Sequence, residues 1–108
     1  MSTASYAGDV TIVDAEAVET SPGKWNFSVT VEHGDTGWDH YADAWEVRDA
    51  KDNVLGTRIL AHPHVNEQPF TRSLSGVEIP ASVDDVLIFA RDSVHGWNED
   101  SLEFKLSR

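Results

Sequence analysis

The sequence predicts an all-β fold of two packed antiparallel sheets, and three observations carry the prediction. Seven segments of the 108-residue chain are rich in β-forming residues, several in strict alternation of apolar and polar. Turn-forming clusters separate these segments roughly every dozen residues, the spacing of a sandwich. No segment shows a three-to-four-residue apolar period over the length of a helix. Strands with no helices between them pair antiparallel and bury their apolar faces sheet against sheet. A small antiparallel barrel is the competing arrangement.

In chain order, residues 10–19 (VTIVDAEAVE) read as an edge strand. Its apolar set switches from Val10 and Ile12 to Val13, Ala15 and Ala17, which predicts a bulge. After the turn at 21–24 (SPGK), residues 25–33 (WNFSVTVEH) place Trp25, Phe27, Val29 and Val31 on one face and Asn26, Ser28, Thr30 and Glu32 on the other, a strand with one wet side. Residues 41–49 put Tyr41, Trp45 and Val47 together, with Asp43 on the same nominal face. The turn at 49–53 (DAKDN) resembles a calcium loop only in its oxygen spacing, since no glutamate closes it and Val54 resumes a strand. Residues 54–61 and 69–79 supply the fourth and fifth strands. After the turn at 79–85, residues 86–92 (VLIFARD) carry β-formers on both faces and read as a central strand, on which Asp92 shares the face of Val86, Ile88 and Ala90. Leu102, Phe104 and Leu106 alternate in the last strand.

The length suits one domain, residues 1–108, with residues 1–8 a flexible N-terminal segment. Eight Lys and Arg stand against nineteen Asp and Glu, a formal charge of −11 spread along the chain. Such a field disfavours nucleic acids and anionic membranes and favours cations or basic protein surfaces. With no cysteine, disulfides and thiolate chemistry are excluded. The start MSTASYAGD lacks the basic and apolar runs of a leader, and no apolar run is long enough to span a bilayer. A cytoplasmic protein is therefore expected, and no membrane partner. A monomer is the economical expectation, with a homodimer through an edge strand as the alternative.

Residues 71–97 (TRSLSGVEIPASVDDVLIFARDSVHGW) resemble the second half of a fibronectin type III or related immunoglobulin-like domain. Leu74, Gly76, Val77, Pro80, Ala90 and Arg91 stand in roughly the places of that family's strand, turn and strand, with Ala90 and Arg91 out of the usual order. The resemblance implies a seven-stranded antiparallel immunoglobulin-like β-sandwich. The segment HPHVNEQPF (62–70) resembles small uncharacterised bacterial proteins, which implies no activity. Superoxide-reducing iron proteins are similar in combining such a sandwich with several histidines. They place a cysteine thiolate on the iron, and this chain departs from them there, as it does from copper proteins of the cupredoxin type.

All five histidines lie in or beside residues 33–40, 62–70 and 93–100. Immunoglobulin-like strand order brings loops 34–40, 62–68 and 93–100 to one end. His33, Asp35, Asp39 and His40 then meet His62, His64 and Glu67, and also Asp92, His95, Trp97, Glu99 and Asp100. Imidazole and carboxylate suit zinc, copper or iron, and the expected metal set is His62, His64 and His95 with Asp39 or His40. The alternation of an extended chain sends His62 and His64 to one face. Arg72 or Arg91 is expected to pair with buried Asp43 or Asp92.

The binding surface expected at this end comprises Trp38, Asp39, His40, His62, His64, Glu67, Arg72, His95 and Trp97. Trp38 and Trp97 each follow a glycine and serve either as lids or as contacts for a sugar or protein. Nucleophilic catalysis by Ser73 or Ser93 lacks the glycine-flanked elbow that exposes a serine. A binding module for an unidentified protein or small-molecule partner, noncatalytic and with no obligatory cofactor, is the leading expectation. A histidine and carboxylate metal protein, or a metal-dependent enzyme, is the alternative.

Overall fold

The computed structural model describes residues 10–107, so the segment 1–8 lies outside the described residues. Among them eight strands form: β1 (Thr11–Ser21), β2 (Lys24–Glu32), β3 (Ala42–Arg48), β4 (Val54–Ile59), β5 (Phe70–Glu78), β6 (Asp85–Asp92), β7 (Gly96–Trp97) and β8 (Leu102–Lys105). One sheet has the order β1-β2-β5. The other runs β4-β3-β6, with β7 and β8 both paired to β6. All pairings between strands are antiparallel.

Alternation makes the core. Trp25, Phe27, Val29 and Val31 of β2 join Trp45 and Val47 of β3 and Val86, Ile88 and Ala90 of β6 in one buried cluster. Each large apolar side chain of this kind stabilises the fold by about 1.5–3 kcal/mol when fully buried. The bulge expected in β1 is present, as a register shift between Ile12 and Asp14 that exposes Val13 and returns Ala15 and Ala17 to the core side. β1 is an outer strand whose Asp14, Glu16 and Glu19 are exposed. A second shift, between Ala42 and Ala44, takes Asp43 off the expected face of Trp45, and its carboxylate meets Arg91 Nε at 2.9 Å.

The expected seven strands are corrected to eight, three in one sheet and five in the other. The final edge is split into β7 and β8, and between them Asn98 donates its backbone N–H to Ala90 O at 2.8 Å and its side-chain amide to the Val10 carbonyl at 2.6 Å. The calcium-like turn is a hairpin turn in which Asp49 Oδ1 accepts the N–H groups of Lys51 and Asn53. The Cα radius of gyration is 13.9 Å, close to the value of about 13 Å for a compact chain of this size. No helix among the described residues is long and apolar enough to cross a membrane.

Candidate metal centre

The inward face of β2 does not stop at Val31. Val31, His33 and Asp35 are buried at every second position, and on β6 the series Val86, Ile88, Ala90 ends on fully buried Asp92. The two series face each other across the sandwich, bringing His33 Nε2 to 3.7 Å from Asp92 Oδ2. His40 arrives from a tight turn. Its N–H donates to Gly37 O and its carbonyl accepts from Thr36 N, with Gly37 at φ 140°, and this returns the ring to the sheet. His40 Nε2 then lies 3.4 Å from Asp92 Oδ1. The ligand atoms of His33, His40 and Asp92 all lie within 4.8 Å of one another.

Asp92 also shapes the next turn. Its Oδ1 accepts the N–H groups of Val94 and His95 at 2.9 and 2.6 Å, and the half-exposed His95 ring sits with Nδ1 3.1 Å from both carboxylate oxygens. Burial pushes this carboxyl up, but the backbone donors of His95 and Val94 together with the His95 ring outweigh it and hold it below the usual carboxylate value.

Asp35 supports the centre from behind. Its Oδ1 takes the Ala42 N–H at 3.0 Å and its Oδ2 the His64 N–H at 2.7 Å, so the carboxylate acts as acceptor and His33 Nδ1 donates to Oδ1 at 2.6 Å. Nε2 of His33 is then the nitrogen on the Asp92 side. A carboxylate behind an imidazole in this way is the usual support of a metal-ligating histidine.

The residues present fit a metal ion. His40 Nε2 is buried with no hydrogen-bond partner among the described residues, its 3.4 Å approach to Asp92 being too poorly aligned to count as one. The 3.4 and 3.7 Å separations are near the edge of roughly 3.3 Å between donors of a tetrahedral ion with bonds of about 2.0–2.1 Å. The cluster is capable of coordinating a transition-metal ion.

Of the expected metal set, His95 lies beside this cluster. His62 and His64 form a separate pair, with ring centroids 4.6 Å apart, and Asp39 is exposed at the tip of its loop. His62 is exposed and its Nδ1 meets Pro63 O at 3.1 Å. Buried His64 stacks on Phe70 at 3.8 Å, and its Nε2 accepts from Arg72 Nη2 at 2.8 Å. Burial, then Arg72 and His62, push the His64 imidazole below its ordinary value against the weaker pull of Glu67 and Asp35. Exposed Glu67 lies 3.7 Å from Arg72. Trp38 is 68% exposed and meets Tyr41 edge-on, whereas Trp97 lies half-buried near the guanidinium groups of Arg48 and Arg91. Tyr41 N donates to Ser93 Oγ at 3.1 Å, and Ser73 pairs with Ser28 on an exposed sheet face.

No protein-family model matches the chain. A protein of Halomicrobium mukohataei named "Putative lipoprotein" is 34% identical over 94 residues, which are 87% of this chain and 46% of the relative. The chain thus spans about half the length of the curated relative it matches. Among solved structures, the superoxide reductase (neelaredoxin) of Archaeoglobus fulgidus in its reduced form superposes with a TM-score of 0.58 at 14% identity, over 99% of this chain and 96% of that one.

These findings correct several expectations. The fold is that of the neelaredoxin type and not a fibronectin type III or immunoglobulin-like sandwich. The missing cysteine, which set that likeness aside, bears on a ligand and not on the packing of strands. The resemblance to bacterial proteins gains no support from the relative in Halomicrobium or the structural neighbour in Archaeoglobus. The preference for a noncatalytic module is withdrawn, because the solved neighbour is named as an enzyme and this chain carries a buried His, His, Asp cluster. The cytoplasmic expectation is overturned by the relative named as a lipoprotein.

Proposed function

We propose that this chain is a metal-binding domain that holds a divalent transition ion through His33, His40 and Asp92, with His95 beside them as a further donor. The observation that carries the reading is the convergence of these three ligand atoms within 4.8 Å at a buried position. Charge supports it, because Asp35 and Asp92 place two carboxylates with fully buried side chains against His33. A divalent cation ligated by imidazoles would add to the backbone N–H donors that already hold these carboxylates ionised.

Zinc, copper and ferrous iron suit a nitrogen and oxygen set of this kind, and a bound ion would supply Lewis-acid or one-electron chemistry. His33, His40 and Asp92 would hold the ion while Asp35 orients His33. The surrounding loops, with Trp38, Asp39, His62, Glu67 and Trp97, are the surface through which a small molecule or protein partner would reach it. By likeness to the lipoprotein relative, the domain is assigned to an extracytoplasmic protein. Superoxide consumption is the first reaction to assay, since the structural neighbour is a superoxide reductase by name. The ligand set here has no thiolate, so any such activity would run on imidazole and carboxylate alone.

The test is metal content after purification without added metal or a histidine tag, followed by calorimetric titration with zinc, copper and ferrous iron. Stoichiometric binding is expected in the wild type and lost in His40→Ala and Asp92→Asn. A folded wild type that binds none of the three ions overturns the proposal, as do variants that keep wild-type affinity.

A further inference from the structure

The HPHVNEQPF segment is left without a role when the ligands come from the other two loops, yet its backbone is tied to His33 twice. Gln68 Oε1 accepts the His33 N–H at 3.0 Å, and Gln68 Nε2 donates to the His64 carbonyl at 2.9 Å. Asp35 makes the matching pair of contacts, taking His33 Nδ1 on one oxygen and the His64 N–H on the other. His33, Asp35, His64 and Gln68 therefore close a ring of hydrogen bonds. Both polar groups of the His64 peptide backbone are consumed in it. The His64 side chain fixes this ring to β5 through its stack on Phe70 and its bond from Arg72. The imidazole that appears in the motif as a ligand is thereby spent on anchoring, since its Nε2 already accepts from a guanidinium that cannot give up its charge.

We infer that Asp35 and residues 62–68 clamp the first metal ligand: Gln68 holds the His33 backbone N–H and Asp35 the His33 ring, both bound to the His64 backbone, so that His33 keeps its Nδ1–H on Asp35 and presents Nε2 to the ion. This deepens the metal reading and rests on it. Asp35 and Gln68 are positioning residues, acting through His33. Outer carboxylates of this kind typically change metal affinity by about 10–100-fold.

The experiment compares wild type, Asp35→Asn, Gln68→Ala and, as a control on an exposed sheet face outside the ring, Ser73→Ala. Zinc titration reports affinity, and long-range proton–nitrogen correlation spectra of the metal-free protein report the His33 tautomer. In Asp35→Asn an amide N–H₂ faces either the His64 N–H or the His33 Nδ1–H, so one contact must break.

The clamp predicts a single Nδ1–H tautomer for His33 in the wild type, a mixed tautomer in Asp35→Asn, and zinc affinity lowered on the order of 10–100-fold in both ring variants, with Ser73→Ala unchanged. Affinities in folded Asp35→Asn and Gln68→Ala equal to wild type overturn the clamp and leave the metal site standing. If Asp35→Asn does not fold, Gln68→Ala alone decides by the same affinity criterion. A wild type that binds no zinc overturns the metal reading instead. In that event a fixed Nδ1–H tautomer in the wild type still supports the clamp, and a mixed one overturns it.

Discussion

Asp92 accepts two backbone N–H groups and approaches three imidazoles while wholly buried, so its removal is felt twice. In Asp92→Ala the Val94 and His95 donors lose their acceptor. The expected loss is about 1–3 kcal/mol for each donor left unsatisfied, read from urea unfolding of the metal-free protein. His64 gives a separate test through pH. Its folded value is depressed below 6.5, so the neutral form is favoured on folding. Its contribution is full above the unfolded value and is lost as pH falls through the folded one. Asp92, also depressed, loses its contribution only at much lower pH, below the ordinary carboxylate value of 3.8. Between about pH 7.5 and about pH 5 the urea midpoint of the wild type should therefore fall more than that of His64→Phe, which cannot titrate there. Equal falls would remove His64 from the account. At this scale the sequence was half legible. Carrying the period-two pattern of β2 and β6 one step past the apolar residues places His33 and Asp92 inside, whereas the spacing of His62 and His64 pointed to ligands and could not show that Arg72 and Phe70 occupy one of the two rings.

The strands themselves were read well where alternation was strict, as in β2, and where β-formers covered both faces, as in central β6. What could not be read is the break between β7 and β8, where Asn98 keeps its backbone N–H on the Ala90 carbonyl of β6 while its side-chain amide ties the carbonyl of Val10, a partner 88 residues away. β4 shows a second constraint that spacing alone does not reveal. A Cβ on Gly56 would lie 2.9 Å from Leu74 Cδ2 and 3.2 Å from Val77 Cγ2 of β5, in the opposite sheet. The Leu74 methyl can swing away, but the stiff branched Val77 cannot. Gly56→Val should destabilise the fold by about 1–3 kcal/mol through overpacking, measured as a lower urea midpoint with an unchanged slope.

For the molecule as a whole, a ligand that binds the folded state alone must raise its stability. Zinc at about one hundred times its dissociation constant should add about 2.7 kcal/mol, seen as a higher thermal midpoint that chelator reverses. A midpoint indifferent to zinc would contradict the centre. The two-sheet architecture was legible in the chain because it follows from pattern. Its likeness to the neelaredoxin fold was not, because at 14% identity strand order and packing agree where few residues do. The exposed outer strand β1 carries one more consequence. Val13 and Val18 are more than half exposed on a strand that is outermost among the described residues, a surface on which a second chain could add a strand. Asp14, Glu16 and Glu19 stand among them, and an incoming copy aligned on this edge would bring its own three carboxylates against these. Like-charge repulsion opposes growth of the sheet in that direction, and neutralising the three carboxylates by amide substitution should raise the light scattered by the protein at a given concentration.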